Sequence, residues 1–154
     1  MKILFVCTGN TCRSAMAEAI FRDIADLKEF EVSSAGLSTF TGDTAHETAQ
    51  IVCDRHGLDL TRHRTTGLGD AKVNEMDLVL TAEEHHREKI KILYPGVRVY
   101  TIKQYAGGYD DWDIADPINK GFETYEKCFF ELKEALEKVY AKIISEEIGG
   151  LEEI

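Results

Sequence analysis

Apolar and polar positions change period several times along the chain, and the changes predict strands alternating with helices. Residues 3–6 form a short apolar run that reads as a strand, followed by the polar residues Thr8, Gly9, Asn10 and Thr11. Met16, Ala17, Ile20, Phe21 and Ile24 then recur at helical spacing, which predicts a helix from Ser14 to near Lys28. Phe30 and Val32 predict a second strand, after which the SSAG stretch at 33–36 leads into a polar loop reaching Gly42. A helix is expected over 44–56, stopped by Gly57, and the turn-rich RTTGLGD of 64–70 reads mostly as loop. Residues 77–81 have the density of a buried strand, and 83–93 read as a charged amphipathic helix ended by Pro95 and Gly96. Val97, Val99, Tyr100 and Ile102 predict a strand, and 105–117 is acidic and irregular. From Phe122 to Ile143 a broad apolar stripe predicts one long helix, which Gly149 and Gly150 break.

This order predicts a three-layer α/β fold: one domain over residues 1–154, with a four-stranded, mostly parallel sheet, right-handed crossovers and helices on both faces. Ligands in such sheets sit beyond the carboxyl ends of the strands, where the segment from Cys7 to Arg13 is placed.

Composition narrows the class. The chain has 154 residues, 44% of them apolar, enough for a real core and unlike a disordered segment. A formal net charge of -10 works against nonspecific binding to nucleic acid or anionic membrane, so neither is expected as a partner, while a local basic pocket still suits an anion. The opening MKILFVCTGN lacks the pattern of an export signal, and no apolar run is long enough for a membrane span. The expected location is therefore the cytoplasm, with Cys7, Cys12, Cys53 and Cys128 reduced. No CxxC pair and no HExxH motif occurs, so no metal site is expected, and His46, His56, His63, His85 and His86 read as surface or packing residues.

The stretch VCTGNTCRS carries the chemistry. It sets a thiol, Cys7, and a guanidinium, Arg13, at the two ends of a loop between strand and helix. A loop curled around an anion aims successive N–H groups at its oxygens, and the following helix adds its positive end. Thr8, Gly9, Asn10, Thr11 and Cys12 are the loop residues of such a site, with Gly9 permitting close approach. Arg13 offers paired donors to two phosphate oxygens, and Ser14 can donate to the sulfur. The same field favours the thiolate over the thiol, which makes a phosphocysteine intermediate reasonable. Neither GxxxxGK[ST] nor GxGxxG is present, so a nucleotide loop is a poor rival. A general acid is required when the leaving group is poor, and Asp110, Asp111, Asp113 and Asp116 are the local candidates.

VCTGNTCRSAMAEA at 6–19, SSAG at 33–36 and DIADP at 113–117 together resemble the low-molecular-weight protein tyrosine phosphatase family, in motif order along essentially the whole chain. The resemblance implies Cys7 as nucleophile, Arg13 as the phosphate-binding arginine, Asn10 as a loop-shaping residue, Ser14 as the thiolate's partner and Asp116 as general acid. It also implies phosphorylated proteins or peptides as substrates, inorganic phosphate as product, and no metal or organic cofactor. Cys12 resembles the family's second loop cysteine, which implies a reversible disulfide protecting Cys7 from irreversible oxidation; its plain reading is a small packing residue. In its loop the chain is most similar to the bacterial protein arginine phosphatases, which share a threonine at Thr11. Tyrosine-directed members carry a larger aliphatic residue there and aromatic residues just after the Asp-Pro, where this chain has Ile118 and Asn119. Thr11, Phe40 and Ile118 are thus the expected selectivity residues, and Tyr105, Tyr109 and Trp112 are further candidates to line the entrance. An arsenate reductase relay lacks its cysteines, since none occurs between Asp54 and Lys127. A silent phospho-ligand binding module needs neither a nucleophile nor an acid, yet both are present.

Overall fold

The structure, a computed structural model, describes residues 1–148. Its strands are β1 (Lys2–Cys7), β2 (Glu31–Gly36), β3 (Leu78–Thr81) and β4 (Val99–Thr101). Its α-helices are α1 (Arg13–Ile24), α2 (Glu47–Arg55), α3 (Glu84–Leu93), α4 (Ile102–Ala106) and α5 (Phe122–Ile143). All strand pairs are parallel, in the order β2-β1-β3-β4.

Alternation along the strands divides the core in two. Ile3 and Phe5 of β1 and Leu78 and Leu80 of β3 pack with Met16 and Ile20 of α1, Val52 of α2, and Leu132, Leu136 and Val139 of α5. Leu4, Val6, Val79 and Val99 point the other way, onto Ile90 of α3 and onto Leu68 and Val73 of the short 3₁₀ turns Leu68–Asp70 and Val73–Glu75. A strand buried on both faces must be apolar at every position, which is why β1 and β3 read as continuous apolar runs. The chain leaves β1 toward one face and β3 toward the other. The crevice this opens at their carboxyl ends is the site that doubly wound sheets reserve for ligands.

Several element ends differ from the sequence-based expectation. α1 stops at Ile24 rather than near Lys28, because the Asp26 carboxylate accepts from Lys28 N at 3.0 Å and Asp26 O from Glu29 N at 3.0 Å, closing a turn in place of helix. β2 runs on through Ser33–Gly36, paired with β1 as far as Cys7↔Gly36. α2 begins at Glu47, not Thr44: Thr44 is bridged to Arg64, and the His46 ring accepts from Thr48 N at 3.2 Å as the cap. β4 ends at Thr101, whose hydroxyl accepts from Gln104 N at 3.0 Å and starts α4 inside the stretch expected to be strand and loop. The expected break at Gly149 and Gly150 lies outside the described residues.

Candidate active site

The loop after β1 is shaped by its carbonyl groups. Cys7 O accepts from Leu37 N, Thr8 O from Ser38 N, and Thr11 O from His46 N, at 2.9–3.0 Å. Asn10 O accepts from His63 Nε2 at 2.7 Å. Carbonyls drawn outward in this way leave the N–H side of a curled backbone for its concave face. α1 follows with no side-chain cap and no acidic residue in its first turn, so its positive end also opens on that face. Gly36 makes the close packing possible, since a Cβ there would lie 2.8 Å from Thr8 O and 3.0 Å from the Gly9 carbonyl carbon. At Gly9 itself a Cβ would meet only Thr11 Oγ1, at an ordinary 3.6 Å; its bare side faces the cleft rather than the protein.

Asn10 is fully buried with φ 57°, the left-handed conformation that asparagine tolerates better than most residues. Its amide donates to Ser14 Oγ at 2.8 Å and Ser34 Oγ at 2.9 Å, and its carbonyl accepts from Thr66 N at 2.9 Å. Ser14 Oγ, already accepting from Asn10, lies 2.9 Å from Cys7 Sγ and 3.4 Å from Ala35 O, the two groups its single proton can reach. Asn10 N–H reaches the same sulfur at 3.3 Å. Both groups thus converge on Sγ.

Arg13 closes the loop and is only 2% exposed. Its Nη1 donates to Glu83 Oε2 at 2.8 Å and to Ile114 O at 2.7 Å, and Nη2 lies 3.5 Å from Asp116 Oδ2. With Nη1 committed twice, Nε and Nη2 form the donor pair left to face an oxyanion. Burial, the largest single influence, opposes the charge of Glu83, but the hydrogen bond and the charge of Arg13, with His85 and His86, together hold the carboxyl below its usual range. Asp116 stands at the mouth, its Oδ1 accepting from Ile118 N at 3.1 Å. The segment that carries it is anchored by Ile114, fully buried, whose N–H donates to Ala82 O at 2.9 Å, and by Lys103, which donates to Asp113 O at 3.2 Å and pairs with Glu131.

Cys7, Thr8, Gly9, Thr11, Cys12, Arg13, Asp116 and Ile118 together line a cleft of about 100 Å³. Wider hollows of about 310 Å³ beside Lys2 and Met76 and about 380 Å³ beside α2 are lined by no cysteine. Cys12 is buried with Sγ 3.4 Å from the Tyr125 hydroxyl; burial pushes its thiol up, away from the thiolate.

Against known proteins, the family model described as "Low molecular weight phosphotyrosine protein phosphatase" matches residues 2–148. The chain belongs to that family. It is 35% identical over 136 residues to the probable low molecular weight protein-tyrosine-phosphatase AmsI of Erwinia amylovora, covering 88% of this chain and 92% of that one. It is 34% identical over 148 residues to a protein-arginine-phosphatase of Geobacillus stearothermophilus, covering 95% and 98%. Among solved structures, a YwlE arginine phosphatase whose cysteine-to-serine mutant carries a phosphorylated active-site serine matches at TM-score 0.88 and 30% identity, over 96% of this chain and 98% of that one.

This low-molecular-weight phosphatase therefore acts on phosphorylated protein side chains. Of the expected selectivity residues, Thr11 and Ile118 line the cleft, while Phe40 is 87% exposed outside it on the 39–43 loop, whose backbone is held by Thr65 Oγ1 donating to Phe40 O at 2.6 Å. Tyr105 is buried in the core, Tyr109 donates to Glu134, and Trp112 donates to Tyr109 O, so none of these rings lines the cleft either.

Sequence reasoning also missed partners of the loop. Ser34, Gly36, His63, Glu83 and His86 all hold it, and three of them sit more than fifty residues from it along the chain. Only SSAG and the spacing Glu83-x-x-His86, with a side-chain acceptor at the third helical position, carried a local signal. His86 is fully buried, and its Nδ1 accepts from Glu83 N at 3.1 Å, so the neutral ring carries its proton on Nε2 and donates to Thr8 Oγ1 at 2.9 Å. Glu83, His85 and His86 bring ligand atoms within 4.8 Å of one another, yet Glu83 is held by Arg13 and His86 Nε2 has no lone pair to offer, so the set does not suit a metal ion.

Burial first, then the charges of His85 and Arg13, press the His86 pKa from 6.5 down to about 4. The unfolded chain therefore binds a proton that the native phosphatase refuses. Stability is complete above about pH 6.5 and declines as pH falls toward 4, by a total on the order of 3 kcal/mol. Urea midpoints compared near pH 7 and about pH 4.5 are expected to fall more in the wild type than in His86→Gln. Equal falls would exclude His86 as the group responsible.

Proposed function

We propose that this phosphatase removes phosphate from arginine side chains of proteins through a thiolate at Cys7. In the first step Sγ attacks phosphorus, an S–P bond forms as the P–N bond breaks, and Asp116 delivers its proton to the departing guanidine nitrogen. Arg13 and the loop N–H groups carry the charge on the equatorial oxygens. In the second step the Asp116 carboxylate takes a proton from water, whose oxygen attacks phosphorus. The S–P bond breaks, inorganic phosphate leaves and the thiolate returns.

The observation that supports the choice of arginine is the lining of the cleft. The loop contributes the Thr11 hydroxyl, and beyond the loop and Arg13 the lining is Asp116 and Ile118, a carboxylate and one aliphatic side chain, with no aromatic ring. A hydroxyl and a carboxylate suit a polar guanidinium group, whereas a phenyl ring would find no stacking partner. The phosphotyrosine reading rests on one specific observation: Ile118 is 43% exposed at the mouth and offers an apolar wall. The resemblance to tyrosine and arginine phosphatases at 35% and 34% identity favours neither.

Turnover of phosphoarginine and phosphotyrosine peptides, measured side by side, tests the assignment. Thr11→Ile is expected to lower kcat/KM for phosphoarginine by about tenfold and to spare or improve phosphotyrosine turnover. A wild-type preference for phosphotyrosine, or an equal shift of both substrates in the variant, overturns arginine as the substrate and leaves the thiolate chemistry standing.

A further inference from the structure

The turn joining β3 to α3, residues 81–86, touches every part of the site. Ala82 N donates to Val6 O at 3.0 Å, one residue before Cys7, and Ala82 O receives Ile114 N at 2.9 Å. Glu84 N donates to the Asp113 carboxylate at 2.7 Å, in the segment that leads to Asp116. Glu83 grips Arg13 at 2.8 Å, and His86 reaches Thr8 at 2.9 Å. The turn is closed on itself by Thr81 Oγ1 donating to Glu83 O at 2.9 Å and by Glu83 N donating to His86 Nδ1 at 3.1 Å. One short segment thus bonds to the start of the phosphate loop, to its end, and to the acid-bearing segment opposite.

We propose that His86 is a positioning residue for the phosphatase reaction, locking this turn against Thr8 so that the phosphate loop and the Asp116 segment keep one fixed separation. The inference rests on Cys7 and Asp116 as the reacting groups. His86 touches neither of them, and its effect runs through Thr8 on one side and through the turn on the other. Both ring nitrogens are used, one as acceptor within the turn and one as donor to the loop. That division requires a neutral ring with its proton on Nε2, and complete burial keeps the ring in that form. A histidine that only filled space would need neither bond. A clamp spanning two elements needs both, because losing either lets the loop and the turn move independently. The acid segment rides on the turn through Ala82 and Glu84, so a loosened clamp misplaces Asp116 more than it weakens phosphate binding.

The test is a double-mutant cycle between His86→Leu and Thr8→Val, read with a poor and a good leaving group on peptide and aryl phosphates. Each single change is expected to lower kcat on the poor leaving group by about tenfold, with KM within about threefold of wild type and a smaller loss on the good leaving group. The double variant is expected to be no slower than the worse single one, because both remove the same bond. His86→Gln, which keeps an acceptor and a donor on one side chain, is expected to recover kcat to within about threefold of wild type. Multiplying losses, equal losses on both leaving groups, or unchanged kcat in His86→Leu would overturn the proposal. If His86→Leu does not fold, the same cycle run with His86→Asn, whose side chain is too short to span from Glu83 N to Thr8, reads the same outcomes. Cys7→Ser run in parallel separates the failures: full turnover there refutes the thiolate reading itself, whereas its loss alongside an unaffected His86 series refutes only the clamp.

Discussion

Replacing Cys7 by serine is expected to reduce turnover by at least about ten-thousand-fold while phosphate is still bound. The pocket that binds phosphate is built by groups other than the thiol. Carbonyls of the loop are tied outward to Leu37, Ser38, His46 and His63, the Asn10 side chain is fixed by Ser14, Ser34 and Thr66, and Arg13 is held from behind by Glu83 and Ile114 O. A serine oxygen fits in the same place and meets the same donors. What it lacks is an accessible anion, because an alcohol does not ionise where a thiol can. Steady-state turnover paired with competition by inorganic phosphate checks both halves. Turnover near the wild-type rate would remove Cys7 from the mechanism, and loss of phosphate binding together with turnover would mean the thiol shapes the loop.

The second large effect is expected at Asp116. Asp116→Asn keeps the size of the side chain and the contact between its oxygen and Ile118 N, but removes the proton that the leaving group must receive. Turnover of substrates with poor leaving groups is expected to fall by about a hundredfold to ten-thousand-fold, and turnover of an activated aryl phosphate by less than about tenfold. Arg13 at 3.5 Å makes the interpretation sharper, since losing the Asp116 charge leaves Glu83 as its ionic partner and the guanidinium in place. Equal losses for both substrate types would assign Asp116 to holding Arg13 instead of to proton transfer. Comparing rates across a series of leaving groups checks this directly.

The parts of the site that could be read from the sequence are those whose chemistry is local. Cys7, Arg13 and Ser14 stand on one strand-loop-helix unit, so their spacing alone brings them together, and the two-faced burial of β1 and β3 made the parallel sheet legible. Asp116 was separable from Asp110, Asp111 and Asp113 only through the family motif; in the fold the distinction is positional, since Ile114 buries itself under Ala82 and turns Asp116 to Arg13. Glu83 and His86 were not legible, because their partners lie 70 and 78 residues away and nothing in a charged amphipathic segment marks two of its residues as inward. Gly36 shows the same limit, its need for a missing Cβ being set by the backbone of Thr8 and Gly9 across the sheet edge. Phe40 shows a related limit. An aromatic residue in a polar loop suggests a lining, but where it sits relative to the cleft depends on Thr65 and Thr41, which hold the loop by its backbone and hydroxyl groups.

The measurement that bears most directly on the thiolate phosphatase assignment is chemical trapping of the intermediate. Enzyme mixed with excess phosphorylated peptide, quenched in acid on the timescale of one turnover and analysed by peptide mass spectrometry, is expected to carry one phosphoryl group on Cys7, and the Cys7→Ser chain is expected to carry none on any other cysteine. Turnover with no phosphoryl group ever found on Cys7, or with the group on another residue, would contradict it.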